Sequence, residues 1–212
     1  SDLGESGGCI TDIVALRDGV LTNLTLDENT GKSSWTVRYY KDFQDVNGTD
    51  INNDGILELP IPEELPLVGE STTQLYLFHW IQFALDGTAK QVCTTFHNYD
   101  DGWYLTLPEE WRGVVTAARR DYSGSLAASE RAVSFYYWAD AETEPVEFLT
   151  IYRLSGTNRT TRASIDGRFL LFESSDVIYA AKVWDVEWDC KLDSDGVRER
   201  FNRIKVDWST ES

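Results

Sequence analysis

Between positions 9 and 60, apolar and polar residues alternate in short runs: "ITDIVAL", "VLTNLTL" and "SSWTVRYY". The runs are parted by Arg17-Asp18-Gly19 and by Asp27-Glu28-Asn29-Thr30-Gly31. Period-two alternation with Asp-Gly or Asn-Thr-Gly between the runs predicts hairpins, because tight β-turns demand residues that accept positive φ. Residues 1–60 are therefore expected to form an all-β unit.

The alternation breaks at "PIPEELPLVGE", where Pro60, Pro62 and Pro66 account for three of the five prolines in the chain. Proline cannot donate to a ladder, so residues 61–72 are expected to be a linker between two units. Beyond it, "TTQLYLFHWIQFAL" and "AKQVCTTFHNY" flank Asp86-Gly87 as a further hairpin. "GWYLTLPEEW", "GVVTAARRDY", "RAVSFYYWAD", "PVEFLTIYRLS" and "VIYAAKVW" carry the β-branched and aromatic residues of strands. Thr157 to Phe172 shows no clear period. In "DSDGVRERFNRIKVDW", Val197, Phe201, Ile204 and Trp208 recur at helical spacing with Asp193 or Ser194 before them as a cap, which predicts a closing amphipathic helix.

The 212 residues suffice for a sizeable core, and 42% hydrophobic with 26% charged residues is ordinary globular composition. The most apolar run, Leu75 to Leu85, is interrupted by His79 and Gln82 and falls well short of the about 20 residues of a membrane span. Membrane insertion is not expected. The chain contains no methionine, even at position 1, as expected of a mature form or of a piece excised from a longer protein, and a targeting segment could have been removed upstream.

A formal charge of −17 argues against nucleic acid and anionic lipid as partners, since such affinity comes mainly from Lys and Arg displacing counterions. The excess is uneven. Residues 1–70 hold 14 acids against 4 bases, whereas the remainder holds 22 against 15. A divalent cation in the first third would relieve this crowding; a solvated acidic surface would show the same totals.

The chemistry-bearing residues beyond the acids are sparse. Cys9, Cys93 and Cys190 are too far apart for a local zinc site; if a disulfide forms, Cys93–Cys190 is the expected pair, leaving Cys9 free. His79 and His97, the only histidines, adjoin no nucleophile-elbow motif and read as core or surface residues. Asp100-Asp101 and Glu109-Glu110 could serve as glycosidase carboxylates, but adjacent acids are more often solvated turn residues. Trp80, Trp103, Trp111 and Trp138 would suit either a sugar-stacking platform or a core.

The densest signal is "TDINNDGILELP", Thr49 to Pro60. With Asp50 as loop position one, Asn52 stands at three, Asp54 at five, Gly55 at six, Ile56 at seven and Glu58 at nine. Calcium takes six to eight hard oxygens from such alternating positions. Gly55 permits the sharp turn, Ile56 would offer its backbone carbonyl, and Glu58 a carboxylate, directly or through water. Ile61 at position twelve, where an EF-hand requires glutamate, excludes that motif. The alternative is an Asx-turn that uses the same residues without a metal.

The loop D-x-N-x-D-G-x-x-E resembles the calcium loops of FG-GAP and related extracellular β-repeat proteins, which join strands and carry Asp or Asn at one, three, five and nine. The resemblance covers about residues 9–60, and this chain departs from it with Glu58 at the ninth position. It implies Ca2+ as a structural cofactor held by Asp50, Asn52, Asp54, Ile56 and Glu58.

Farther on, "FHNYDDGWYLTLPEEWRGV" resembles the entry signature of PsbP-like α/β modules, a strand running into Pro and then Trp. Gly102-Trp103, Leu105, Leu107, Pro108 and Trp111 occupy those places. Over about residues 73–208 the resemblance implies an antiparallel sheet covered by helices, with no shared catalytic set.

The expected whole is thus α+β: a β unit with a calcium loop in residues 1–60, a linker in 61–72, and a PsbP-like α/β domain in 73–212. The function expected is a non-enzymatic, extracellular or surface-anchored module of a secreted bacterial protein, binding or assembling with an unidentified extracellular protein or glycan. A carbohydrate-active enzyme or accessory module, using tryptophans and an acid pair, is the alternative, and an exposed aromatic line beside a cleft would favour it.

Overall fold

Alternating runs become strands throughout the computed structural model, which describes residues 8–10, 12–27, 29–33, 36–38, 46–120 and 129–204. The chain divides into two units, Ser1–Pro62 with Phe78–Thr94 and Glu63–Leu77 with Thr95–Ser212.

The first unit opens with short strands β1 (Gly8–Ile10), β2 (Val14–Arg17), β3 (Val20–Asn23), β4 (Leu26–Asp27), β5 (Lys32–Ser33) and β6 (Thr36–Arg38). They pair antiparallel as β1 with β6, β2 with β3 and β4 with β5. Between β2 and β3, Asp18 (φ 49°) and Gly19 (φ 80°) both take positive φ, the conformation of a two-residue hairpin turn whose twist matches its strands. Val14, Leu16, Val20 and Leu21 on this hairpin are exposed.

Longer strands follow: β7 (Glu58–Glu64), β8 (Tyr76–Phe83) and β9 (Ala89–Asn98). The β8–β9 hairpin turns at Asp86-Gly87, where the Gly87 N–H donates to the Ala84 carbonyl at 2.9 Å. Leu59, Ile81 and Phe83 form the unit's buried cluster, with Ile13, Leu24 and Ile61 packed against it.

The segment expected as a linker is partly strand: Pro60 and Pro62 lie within β7. That strand ends the sheet order β16-β10-β9-β8-β7, and an edge is the one place in a sheet where proline's missing donor costs no ladder bond.

The second unit adds β10 (Trp103–Thr106), β11 (Val115–Arg120), β12 (Glu130–Tyr137) and β13 (Val146–Ser155). It continues with α1 (Arg159–Arg162), β14 (Phe169–Glu173), β15 (Val177–Val183), α2 (Ser194–Arg200) and β16 (Phe201–Arg203). A second five-stranded sheet has the order β11-β12-β13-β15-β14, antiparallel at every pairing. Phe96, Trp103 and Leu105 on β9 and β10 share one buried cluster with Val133, Phe135, Leu149, Ile151 and Tyr179 of this sheet. Phe96 meets Phe135 edge-on, with ring centroids 5.1 Å apart, a favoured aromatic geometry. The opposite face of the second sheet buries Ala132, Tyr152, Leu154, Ile178 and Ala180 with Ala163, which follows α1. β13 is thus buried on both faces, which explains why "FLTIYRL" reads as a nearly continuous apolar run.

These findings correct the α+β expectation. The described residues form sixteen strands and only two α-helices, of four and seven residues, so the fold is β-rich and no helical layer covers a sheet. The closing helix is shorter than its spacing suggests. Asp193 caps it by accepting from the Gly196 N–H at 2.8 Å, as expected, but Phe201 turns extended (φ −81°, ψ 128°). The chain then pairs with β10, Leu105 opposite Phe201 and Trp103 opposite Arg203, and the Phe201 ring packs 5.9 Å from that of Trp103. Ladder bonds and aromatic burial outweigh continuation of a helix that exposes polar residues on most of its surface. Trp208 lies outside the described residues.

Cys93 and Cys190 are free thiols, so the expected bridge between them is not formed. Burial raises the pKa of both, that of Cys93 to about 11 with Glu58 as the lesser cause. The side chain of Cys9 lies outside what is described.

Candidate metal centre

An antiparallel bridge pins the base of the Asp50–Glu58 loop. The Thr49 N–H donates to the Glu58 carbonyl at 3.1 Å, and the Glu58 N–H returns the bond at 2.9 Å. Between these points the chain must reverse tightly, and Asn53 (φ 60°) and Gly55 (φ 86°) supply the left-handed conformations. No atom would crowd a Cβ at Gly55, so backbone conformation alone calls for glycine there.

The turn draws its own acids inward. Asp50 accepts from the Asp54 N–H at 2.9 Å and from the Gly55 N–H at 2.8 Å, one carboxylate oxygen to each. Asp54 accepts from the Ile56 N–H at 2.9 Å. Asn52 takes part on both sides of its amide, its Oδ1 accepting from the Asp54 N–H at 3.0 Å and its Nδ2 donating to Asp54 Oδ2 at 3.0 Å.

Glu58 differs from the other acids of the loop. It heads β7 with 0% of its surface exposed, whereas Asp54 faces solvent. Its Oε2 accepts from the Ile51 N–H at 3.0 Å and its Oε1 from Gln82 Nε2 at 2.8 Å. The same Gln82 nitrogen donates to Asp54 Oδ2 at 2.7 Å. That amide, followed by the Ile56 N–H and the Asn52 amide, holds the Asp54 carboxyl below its ordinary pKa.

Asp50, Asp54 and Glu58 each place a carboxylate oxygen within 4.8 Å of the others. Two oxygens bound to one calcium at 2.3–2.6 Å can stand at most about 5 Å apart, so this triad fits a shared ion. Among the described residues no lysine or arginine pairs with any of the three. Asn52 lies in the same turn with its oxygen already accepting, and the Ile56 side chain points outward while its N–H serves the turn. Gln82 had no signal in the loop sequence; it arrives from β8 through the fold.

The other candidate groups are engaged elsewhere. Asp100 pairs with Arg119, and the buried Asp101 pairs with Arg131, while Glu109 and Glu110 stand exposed in a 3-10 turn. His79 Nδ1 lies 3.1 Å from Thr94 Oγ1. His97 stacks between Tyr99 and Tyr104, and burial lowers its pKa to about 4. Trp80, Trp103 and Trp111 are each 1% exposed, which removes three of the four tryptophans from any stacking platform. The half-buried Trp138 donates its Nε1–H to the Thr143 carbonyl at 2.8 Å.

No protein-family model, curated protein or solved structure matches this chain. The FG-GAP-like and PsbP-like resemblances therefore stand on their motif residues alone. No helix of the described residues is long and apolar enough to cross a membrane.

Proposed function

We propose that this chain is an exported, non-enzymatic binding or assembly module whose first unit is stabilised by one calcium ion in the Asp50–Glu58 loop. Glu58 carries the reading: a fully buried carboxylate facing Asp50 and Asp54, with no basic side chain of the described residues paired to any of them. Burying an ionised carboxylate is costly unless a counter-charge accompanies it, and a hard divalent cation would supply that charge to all three acids. Asp50, Asp54 and Glu58 would hold the ion. The Asn52 oxygen and the Ile56 carbonyl would complete its shell once Asn52 releases the Asp54 N–H. The ion would screen repulsion and tie the loop to the start of β7, a structural role.

Two observations favour a module over a carbohydrate-active enzyme. Three of the four candidate tryptophans are core residues, and the Asp100-Asp101 pair is tied into ion pairs with Arg119 and Arg131. The −17 charge favours a protein or glycan partner over nucleic acid.

Isothermal titration of the chelator-treated protein tests the site. Calcium should bind at one site per chain more tightly than magnesium, which demands stricter octahedral geometry and gives up water reluctantly. Asp50→Ala and Asp54→Ala should each abolish the heat. Retention of one-site binding in both variants would place the ion elsewhere.

A further inference from the structure

Three tripeptides in the chain have the form Asn-x-Thr without proline at x: Asn23-Leu24-Thr25, Asn47-Gly48-Thr49 and Asn158-Arg159-Thr160. That form is the acceptor signal for N-linked glycan on exported chains, and it also arises by chance, so the structure must say which copies the fold already needs.

At the first copy the fold uses the threonine. Thr25 is 0% exposed; its hydroxyl accepts from the Ile13 N–H at 3.2 Å and lies 2.8 Å from Asn23 Oδ1 and 3.1 Å from Asp12 Oδ1. Asn23 Oδ1 also accepts from the Thr25 N–H at 2.9 Å. Asn23 and Thr25 are thus parts of a buried turn.

The other two copies have the opposite arrangement, with the middle residue turned inward and its neighbours outward. A Cβ on Gly48 would stand 3.0 Å from Leu59 Cδ2, whereas Asn47 and Thr49 are exposed. Arg159 is half-buried and its guanidinium donates to the carbonyls of Gly156 and Ser175, whereas Asn158 and Thr160 are exposed. Asn158 has φ 59° and makes no side-chain cap for α1. A left-handed backbone explains an asparagine at 158 but places no demand on residue 160. Among the described residues, the hydroxyls of Thr49 and Thr160 make no hydrogen bond.

We infer that Asn47 and Asn158 are N-glycosylation sites and that Asn23 is not. The inference rests on the exported character proposed above. The co-substrate is a lipid-pyrophosphate-linked oligosaccharide. Asparagine Nδ2 bonds to C1 of the first sugar, the C1–O bond to phosphate breaks with its electron pair leaving on the lipid pyrophosphate, and the amide proton passes to a base of the transferase. Both sites face solvent, so a bulky glycan would displace no core side chain.

The test is to express the full chain behind a secretion signal in a eukaryotic cell and to map peptides of the secreted product before and after enzymatic deglycosylation. Glycan at Asn47 and Asn158 and a bare Asn23 are expected. Thr49→Val should lose only the first glycan and Thr160→Val only the second, while Thr49→Ser and Thr160→Ser, which keep the signal, should retain both. A folded, secreted product bare at Asn47 and Asn158, or modified chiefly at Asn23, would overturn the inference and leave the exported reading standing. Retention of the chain inside the cell would overturn both.

Discussion

Gln82 Nε2, on β8, stands 2.8 Å from Glu58 Oε1 and 2.7 Å from Asp54 Oδ2, so one neutral amide bridges two carboxylates of the loop. It gives the acids donors but no charge. Gln82→Leu removes the donor while keeping the bulk, and should cost about 1–3 kcal/mol because the Glu58 carboxylate stays buried with one bond fewer. The cost should be smaller in saturating calcium, where the ion takes over the role. Urea denaturation in chelator and in calcium measures both values; an equal loss in the two conditions would mean that no ion sits near Glu58.

Glu130 tests the second unit. It is 4% exposed and lies 3.4 Å from Arg162 Nη1 and 2.9 Å from Arg168 Nη2, whose side chains are themselves only 13% and 10% exposed. Arg168 also lies over the Tyr152 ring, 3.7 Å from its centroid. Breaking a buried pair by removing one partner costs about 3–5 kcal/mol, since the remaining charge is left uncompensated. Glu130→Gln should lower the unfolding free energy measured by urea denaturation by that amount. A loss within experimental error would show the pairs to be solvent-screened.

His97 makes stability depend on pH. Burial holds its folded pKa near 4, below the ordinary 6.5, so the unfolded chain binds the extra proton first. The stability is intact above pH 6.5 and is lost as pH falls toward 4, by up to about 3 kcal/mol at the acid limit. His97→Phe keeps a ring between Tyr99 and Tyr104 and should flatten this part of the profile. An unchanged slope between pH 6.5 and 4 would assign the dependence to other groups.

Local chemistry was the legible part of this chain. Asp18-Gly19 and Asp86-Gly87 mark hairpins because positive φ is a property of single residues, taken by Asp18, Gly19 and Gly87, and the Asp50–Gly55 spacing marks a turn for the same reason, with Asn53 and Gly55 left-handed. Glu58 was legible as loop position nine. Its burial was not, because that follows from heading β7 beside β8, and neither was Gln82, twenty-four positions away in sequence. The final helix misled because Val197, Phe201 and Ile204 repeat at helical spacing while the partner that claims Phe201, β10, lies about a hundred residues earlier. Prolines at 60 and 62 read as a linker until the sheet order put β7 at an edge.

The central claim is that a calcium ion occupies the loop of the native chain. Anything that binds the folded state alone stabilises it by mass action, by about 2.7 kcal/mol at a hundredfold excess over the dissociation constant. A thermal melt of the chelator-treated protein with and without calcium measures this directly, beside Asp50→Ala, Asp54→Ala and Glu58→Gln. The account predicts a higher melting temperature in calcium than in equal magnesium, no calcium response in either Asp→Ala variant, and a weakened one in Glu58→Gln. A native melting curve indifferent to both calcium and chelator would contradict it and leave the loop as a hydrogen-bonded Asx-turn.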